Sequence, residues 1–375
     1  MKILTSTLLL VSVVFISCGK PLTGVFSKKS PHEAYADDVD NSPEGRQWVA
    51  ASELALKQPQ QVKLPYRHQG YFNTDKPRAI ALQFSARQGE RIEVLLEKEL
   101  STNLPIYADL FRSDGSPVSQ VISKDTAWTQ FDFDVNETGG YILRLQPELF
   151  KGGEYTLAMS IMPSLGFPVQ GKVARTGSFW GASRDGGQRS HEGVDIFAPK
   201  GTPAIAAEDG YITRVSDGGI GGKTVWLRVA GRNVNLYYAH LDKQLVNEGQ
   251  QVKKGDVVGL VGNTGNAKST PSHLHFGVYG MGGPVDPWPF INKSIQKAPV
   301  IAKKNLKHQL TLTKQQSTTD GIIVKANTIV IPMAANAEGY LVELPDGKII
   351  RTPFSSAKVV KVEKAQGTVA KGLKV

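Results

Sequence analysis

Through much of its length the chain alternates polar and apolar residues with a period of two, and glycine breaks the alternation. Ile80-Ala81-Leu82-Gln83-Phe84, Gln130-Phe131-Asp132-Phe133-Asp134 and Tyr141-Ile142-Leu143-Arg144-Leu145 show the pattern, and Arg91-Ile92-Glu93-Val94-Leu95-Leu96 and Tyr107-Ala108-Asp109-Leu110-Phe111 are similarly strand-rich. Asp114-Gly115, Gly139-Gly140 and Gly152-Gly153 stand between them as turns. Successive side chains of a strand point to opposite faces, so such runs have one buried face each and need a second sheet to bury it. A β-sandwich is therefore expected over residues 61–163. Residues 164–292 are again strand-rich and denser in glycine, with strands read at 202–212 and 225–229. Helical spacing is confined to Trp48, Ala51, Ala55 and Leu56, which predict one or two turns packed on the next domain. Beyond Trp288-Pro289-Phe290 a basic linker holding one strand (293–319) precedes a small β module (320–363) and a frayed tail (364–375). The fold class is mainly β, and 375 residues leave room for two or three domains.

The first 18 residues stand apart from the fold. Met1-Lys2 is a positive start, and residues 3–16 form an apolar run too short to span a bilayer comfortably, so this stretch reads as a secretory signal. It ends in Phe15-Ile16-Ser17-Cys18-Gly19, and Cys18 is the sole cysteine, which excludes a disulfide within the chain. The segment resembles a bacterial lipobox, with Phe15 where leucine is usual. That resemblance implies lipidation of Cys18 and a membrane-anchored protein facing the periplasm or cell envelope. Gly19, rather than aspartate, favours the outer membrane where there is one. Residues 19–60 read as a proline-punctuated tether and the short helix. The net charge of +10 is carried mostly by the C-terminal region, where 14 Lys/Arg face 5 Asp/Glu from Asn292 onward. An anionic partner such as a wall polymer or a membrane surface suits that balance, as does a plain solvated basic surface; no nucleic-acid-binding motif accompanies it.

Four of the seven histidines fall between residues 191 and 275. In His273-Leu274-His275-Phe276 the two imidazoles share one strand face, leaving Leu274 and Phe276 for the core. His191 and Asp195 are four apart, with Gly193 allowing a close turn between them. Three ligands drawn from His and Asp, with a fourth position for water, suit a catalytic zinc; calcium or magnesium would want more oxygen donors. The imidazoles left over can carry protons near neutral pH. The residues alone do not say which two histidines are ligands. Asp209 and Asp256 read as turn residues, and Trp226, Tyr237 and Tyr238 as core or cleft wall.

Three phrases narrow the choice. The run from Phe179 to Ile196, containing Ser190-His191-Glu192-Gly193-Val194-Asp195, then Tyr238-Ala239-His240-Leu241, then Gly262-Asn263-Thr264-Gly265 with His273-Leu274-His275-Phe276, resemble in order the signatures of the LytM/lysostaphin-type zinc peptidases, family M23. Thr270-Pro271-Ser272 departs from the usual Gly-Pro. The resemblance implies that His191, Asp195 and His275 bind one zinc ion, that His240 and His273 are catalytic, and that peptide cross-links of peptidoglycan are the substrate. It also implies a rival, because some relatives keep the fold, lose ligands and activate other wall hydrolases; a wall-binding tether is a third reading. The N-terminal sandwich is similar to jelly-roll-like accessory domains of secreted peptidases, and the C-terminal module, with Leu344-Pro345-Asp346-Gly347, resembles SH3-like wall-binding domains.

Overall fold

The computed structural model describes residues 29–99, 104–113, 119–317, 321 and 323–360. Residues 1–18, read as a signal with a lipidated Cys18, and the tail 364–375 lie outside the described residues. The protein is mainly β, built of antiparallel sheets. Among the described residues no helix is long and apolar enough to cross a membrane.

Two sheets face each other in the N-terminal part. One runs in the order Gln60–Gln61, Ile80–Ala86, Gly139–Pro147, Ile106–Arg112 and Ser119–Lys124, with only the first pair parallel. The other places Tyr66–Phe72, Gly153–Pro163, Glu90–Lys98 and Gln130–Asp134 side by side. Alternation works as the pattern predicts: along Glu90–Lys98, Ile92, Val94 and Leu96 enter a core shared with Leu82, Phe84, Leu143 and Leu145, while Arg91, Glu93 and Leu95 are only half-buried. Each such side chain contributes about 1.5–3 kcal/mol by leaving water.

Two helices cover the outer face of the first sheet. The second, α2 (Pro43–Lys57), is four turns long rather than one or two, and a further helix, α1 (Pro31–Val39), lies in what reads as tether. Its signal is its cap: Ser30 Oγ accepts from the Glu33 amide, and the Glu33 carboxylate accepts from the Ser30 amide. The Trp48 indole N–H donates to the Pro147 carbonyl at 2.7 Å, and its ring stacks on His32 at 4.6 Å.

The C-terminal strands form a small core of their own around Leu310, Leu312, Val330 and Val342. They are nevertheless part of the sandwich. Ile329–Ala335 pairs with Tyr66–Phe72, so that Gly339–Glu343 and Ile349–Pro353 extend the second sheet. Glu343 accepts Arg78 at 2.8 Å and meets Lys76 at 2.8 Å, tying the sandwich to the C-terminal strands.

Between these halves lies a ten-stranded sheet. Its main path is Arg175–Ser178, Val194–Phe197, His273–Gly280, Asn235–Gln244, Lys223–Val229, Gly210–Ser216 and Gln251–Val252. The run 202–212 is two strands, Pro203–Ile205 and Gly210–Ser216, not one. Entry and exit of this region sit together: the Leu165 amide donates to the Phe290 carbonyl at 2.8 Å, and Ile161 pairs with Gln296. Gly89, in the left-handed region at φ +93°, lies against the Phe290 ring, where a Cβ would come within 2.2 Å.

Candidate metal centre

Strand His273–Gly280 runs antiparallel to Val194–Phe197, and their register sets Asp195 directly opposite His275. Leu274 and Phe276 are fully buried on the core side, as are Val194 and Ile196, which turns His273, His275 and Asp195 toward the cleft. His191 enters from the preceding turn. Gly193 permits this approach, because a Cβ there would lie 2.6 Å from the His275 ring and 2.7 Å from the Phe276 carbonyl oxygen.

Three donor atoms converge. His191 Nε2 lies 3.0 Å from both Asp195 Oδ1 and His275 Nδ1, and Asp195 Oδ1 lies 3.1 Å from His275 Nδ1. A tetrahedral metal with bonds of about 2.0–2.1 Å separates its ligands by about 3.3 Å, so this triangle is near the right size. The protonation pattern points the same way. His191 Nδ1 sits 2.9 Å from the Phe179 carbonyl, which can only accept, so Nδ1 carries the proton and Nε2 of the neutral ring offers a lone pair. That lone pair then faces a carboxylate oxygen, an acceptor opposite an acceptor, which a cation between them resolves. The donor set thus fits a metal ion.

The other two imidazoles flank the triangle. His240 Nδ1 donates to the Thr264 carbonyl and His273 Nδ1 to the Pro271 carbonyl, each at 2.9 Å, leaving both Nε2 atoms as acceptors. The His240 ring centroid lies 5.0 Å from that of His273 and 5.8 Å from that of His275. Burial, helped by the neighbouring His275 and His273, lowers the His240 pKa to about 4, so it is neutral at pH 7. Burial alone would raise the Asp195 carboxyl, but the hydrogen bonds and charges of His191 and His275 hold it well below the usual carboxylate range.

His240 reaches its place through a bent backbone. Its φ is +61°, an uncommon conformation for a residue with a side chain. The strand Asn235–Gln244 pairs with His273–Gly280 as far as Ala239, then changes partner to Val257–Val261 from Leu241 onward. The Gly262-Asn263-Thr264-Gly265 loop holds the bend: Thr264 supplies the carbonyl for His240, donates its hydroxyl to Leu241 O and accepts the Lys223 amide, both at 2.9 Å. The cleft over these groups has a volume of about 880 Å³. Tyr237 forms part of its wall with its ring 5.9 Å from His275, whereas Tyr238 is fully buried, its hydroxyl accepting the Ala207 amide. Asp209 is a turn residue that binds the Lys254 amide and the Lys253 ammonium. Sequence reasoning passed over Arg184, whose Nη2 donates to Asp195 Oδ2 at 2.7 Å and to Ser178 Oγ at 2.8 Å. Its signal lay only in its place within the first signature phrase.

Residues 189–287 match the model of peptidase family M23. The chain is 41% identical over 126 residues to an uncharacterized metalloprotease of Haemophilus influenzae, a match spanning 32% of this chain and 26% of that protein. It is 26% identical over 234 residues to the peptidoglycan DD-endopeptidase ShyA of Vibrio cholerae (61% and 48%) and 43% identical over 99 residues to the DD-carboxypeptidase/endopeptidase Mpg of Neisseria meningitidis (26% and 22%). Less than half of each relative's length is therefore spanned. Among solved structures, the catalytic domain of lysostaphin from Staphylococcus simulans is 32% identical, with 31% of this chain and 90% of that one covered and a TM-score of 0.29. With the metal-ready triangle already in view, the match to residues 189–287 identifies the central region: the chain carries a peptidase family M23 domain.

Proposed function

We propose that the chain is a zinc-dependent endopeptidase that cuts peptide cross-links of peptidoglycan, exported and held to a membrane through a lipidated Cys18. One observation carries the enzymatic part: His191, Asp195 and His275 converge on one point in an open cleft, and two further imidazoles line the same cleft with Nδ1 tied to backbone carbonyls. The substrate reading is supported by relatives named as peptidoglycan endopeptidases. The membrane reading rests on residues 1–19 and on the surplus of positive charge toward the C-terminus.

A zinc ion held by His191, Asp195 and His275 would polarise the scissile carbonyl and bring the pKa of water to about 7. His240 and His273 do the proton work. Their Nδ1–H groups are fixed on backbone carbonyls, so neither ring can flip without losing a hydrogen bond, and each keeps Nε2 aimed into the cleft. One of the two Nε2 atoms accepts the proton of the attacking water, and a ring so charged can return it to the departing amine as the C–N bond breaks. Tyr237 and Phe197 form part of the cleft wall beside these groups.

The test is chemical. The purified chain from Gly19 onward should hold about one zinc and release new amino groups from peptidoglycan, with mass analysis of the fragments giving the bond cut. Chelation should abolish release and added zinc restore it. Wall cleavage that continues after complete metal removal would sink the enzyme reading, and zinc binding without cleavage would favour a regulator of other hydrolases.

A further inference from the structure

We infer that Arg184 is a positioning residue that makes Asp195 present a single oxygen to the ion bound between His191, Asp195 and His275. The inference rests on the metal-centre reading above and concerns how that centre keeps a free position.

A carboxylate has two oxygens, and a metal can take one or both. In Asp195 they are divided. Oδ1 faces the two imidazoles at 3.0 and 3.1 Å, and Oδ2 is held by Arg184 Nη2 at 2.7 Å. The same Nη2 lies 2.8 Å from Ser178 Oγ, and Ser178 stands opposite Asp195 in the strand pairing. Nη2 is therefore held between two partners, and Ser178 keeps it beside Oδ2. A charge-assisted contact from a rigid planar cation is the interaction best suited to occupy one carboxylate oxygen.

The residue is delivered by a hairpin built around the ligands. Ser183–Arg184 pairs with Arg189–Ser190, the His191 amide donates to the Ala182 carbonyl and the Gly181 amide to the His191 carbonyl, both at 2.9 Å. One hairpin thus grips the backbone of one metal-binding residue and the side chain of another. A carboxylate released from Arg184 could place both oxygens on the ion, which raises the coordination number and fills the position that water or substrate needs. Partners behind the ligands of this kind alter metal affinity or activity by about 10–100-fold when removed.

The experiment compares the full-length chain with its Arg184→Met, Arg184→Lys and Ser178→Ala variants. Zinc affinity is read by competition with a chromophoric chelator, and the coordination number from the visible absorption of the cobalt(II)-loaded protein. For Arg184→Met we expect zinc affinity to fall about 10–100-fold, with cobalt bands weakened as a fifth donor joins. Arg184→Lys should recover part of both, and Ser178→Ala should move both slightly the same way. Unchanged affinity and an unchanged cobalt spectrum in Arg184→Met overturn the inference; a rise in KM alone, with both unchanged, would overturn it too and assign Arg184 to the substrate. Should Arg184→Met not fold, the milder Arg184→Gln decides by the same readings. If the parent chain itself binds neither metal, the metal-centre reading has failed rather than the role of Arg184 within it.

Discussion

The sandwich and the cleft both contain buried histidines, and burial does not tell them apart. His32 and His68 are 4% and 0% exposed; His191, His240 and His273 are 4%, 7% and 6% exposed. The difference lies in what the ring nitrogens meet. His68 places Nδ1 and Nε2 each 3.2 Å from a tyrosine hydroxyl, of Tyr66 and Tyr155, within an aromatic core. His32 has Nε2 2.6 Å from Gln146 Oε1 and its ring stacked on Trp48. In the cleft, Nδ1 of His191, His240 and His273 is anchored to a backbone carbonyl and Nε2 is left facing a shared cavity. The sandwich rings are absorbed by their surroundings, while these three cleft rings are each held by Nδ1 on a backbone carbonyl.

The sharpest way to break that distinction is to truncate one ring of each kind. His273→Ala should lower kcat about 10²–10⁴-fold, the range for loss of a proton-transfer group, with zinc content unchanged. His68→Ala should leave kcat/KM within about twofold and instead unfold at lower denaturant, since the buried Tyr66 and Tyr155 hydroxyls each lose a partner. Loss of zinc from His273→Ala would make that residue a ligand and erase the division of labour.

Acid should act next, and on the sandwich. Burial, reinforced by the charge of Arg144, lowers the His32 pKa to about 4, and burial lowers that of His68 to about 3. Below pH 6.5 the unfolded chain takes up protons that the folded chain refuses, so stability present above pH 6.5 is lost as pH falls toward 4. His32 alone accounts for on the order of 3 kcal/mol over that span. The urea midpoint of the metal-free protein at pH 7 and pH 4.5 reads these together with His240, also lowered to about 4; an unmoved midpoint would contradict the claim, and so would a His32→Phe variant whose midpoint moves as far as the parent's.

The smallest effect isolates the backbone at His240. Replacing it by alanine or by glycine removes the imidazole equally, and both variants should lose turnover. Glycine relieves the left-handed strain that alanine keeps, so His240→Gly should be the more stable by about 0.5–1 kcal/mol. Equal stability would mean that the bend stores no strain.

These contrasts also show what the sequence could carry. The shared face of His273 and His275 was legible because period two is a local rule; Gly193 was legible only as a close turn between His191 and Asp195, and its clearance for the His275 ring was not. The His191–Asp195 spacing made a pair, and the structure brings them together with His275. Arg184 was not legible, since its contact with Asp195 depends on a hairpin folding back across 11 positions. Nor was the positive φ of His240, which arises where a strand changes neighbours. Helix α1 escaped because only His32 on it is buried, too little to write a periodic stripe. The pairing of Ile329–Ala335 with Tyr66–Phe72 joins strands more than 250 residues apart, and no local pattern encodes such a partner.

That pairing has a mechanical consequence. The chain leaves the sandwich near Leu165, returns beside it near Phe290 and Gln296, and then completes the same sheet it began. Topologically, the central region is a loop let into a scaffold that closes around its base. A segment hung from a single thread can turn freely, whereas one held at both ends keeps the orientation its scaffold gives it. Whatever fixes the orientation of the sandwich also aims the cleft.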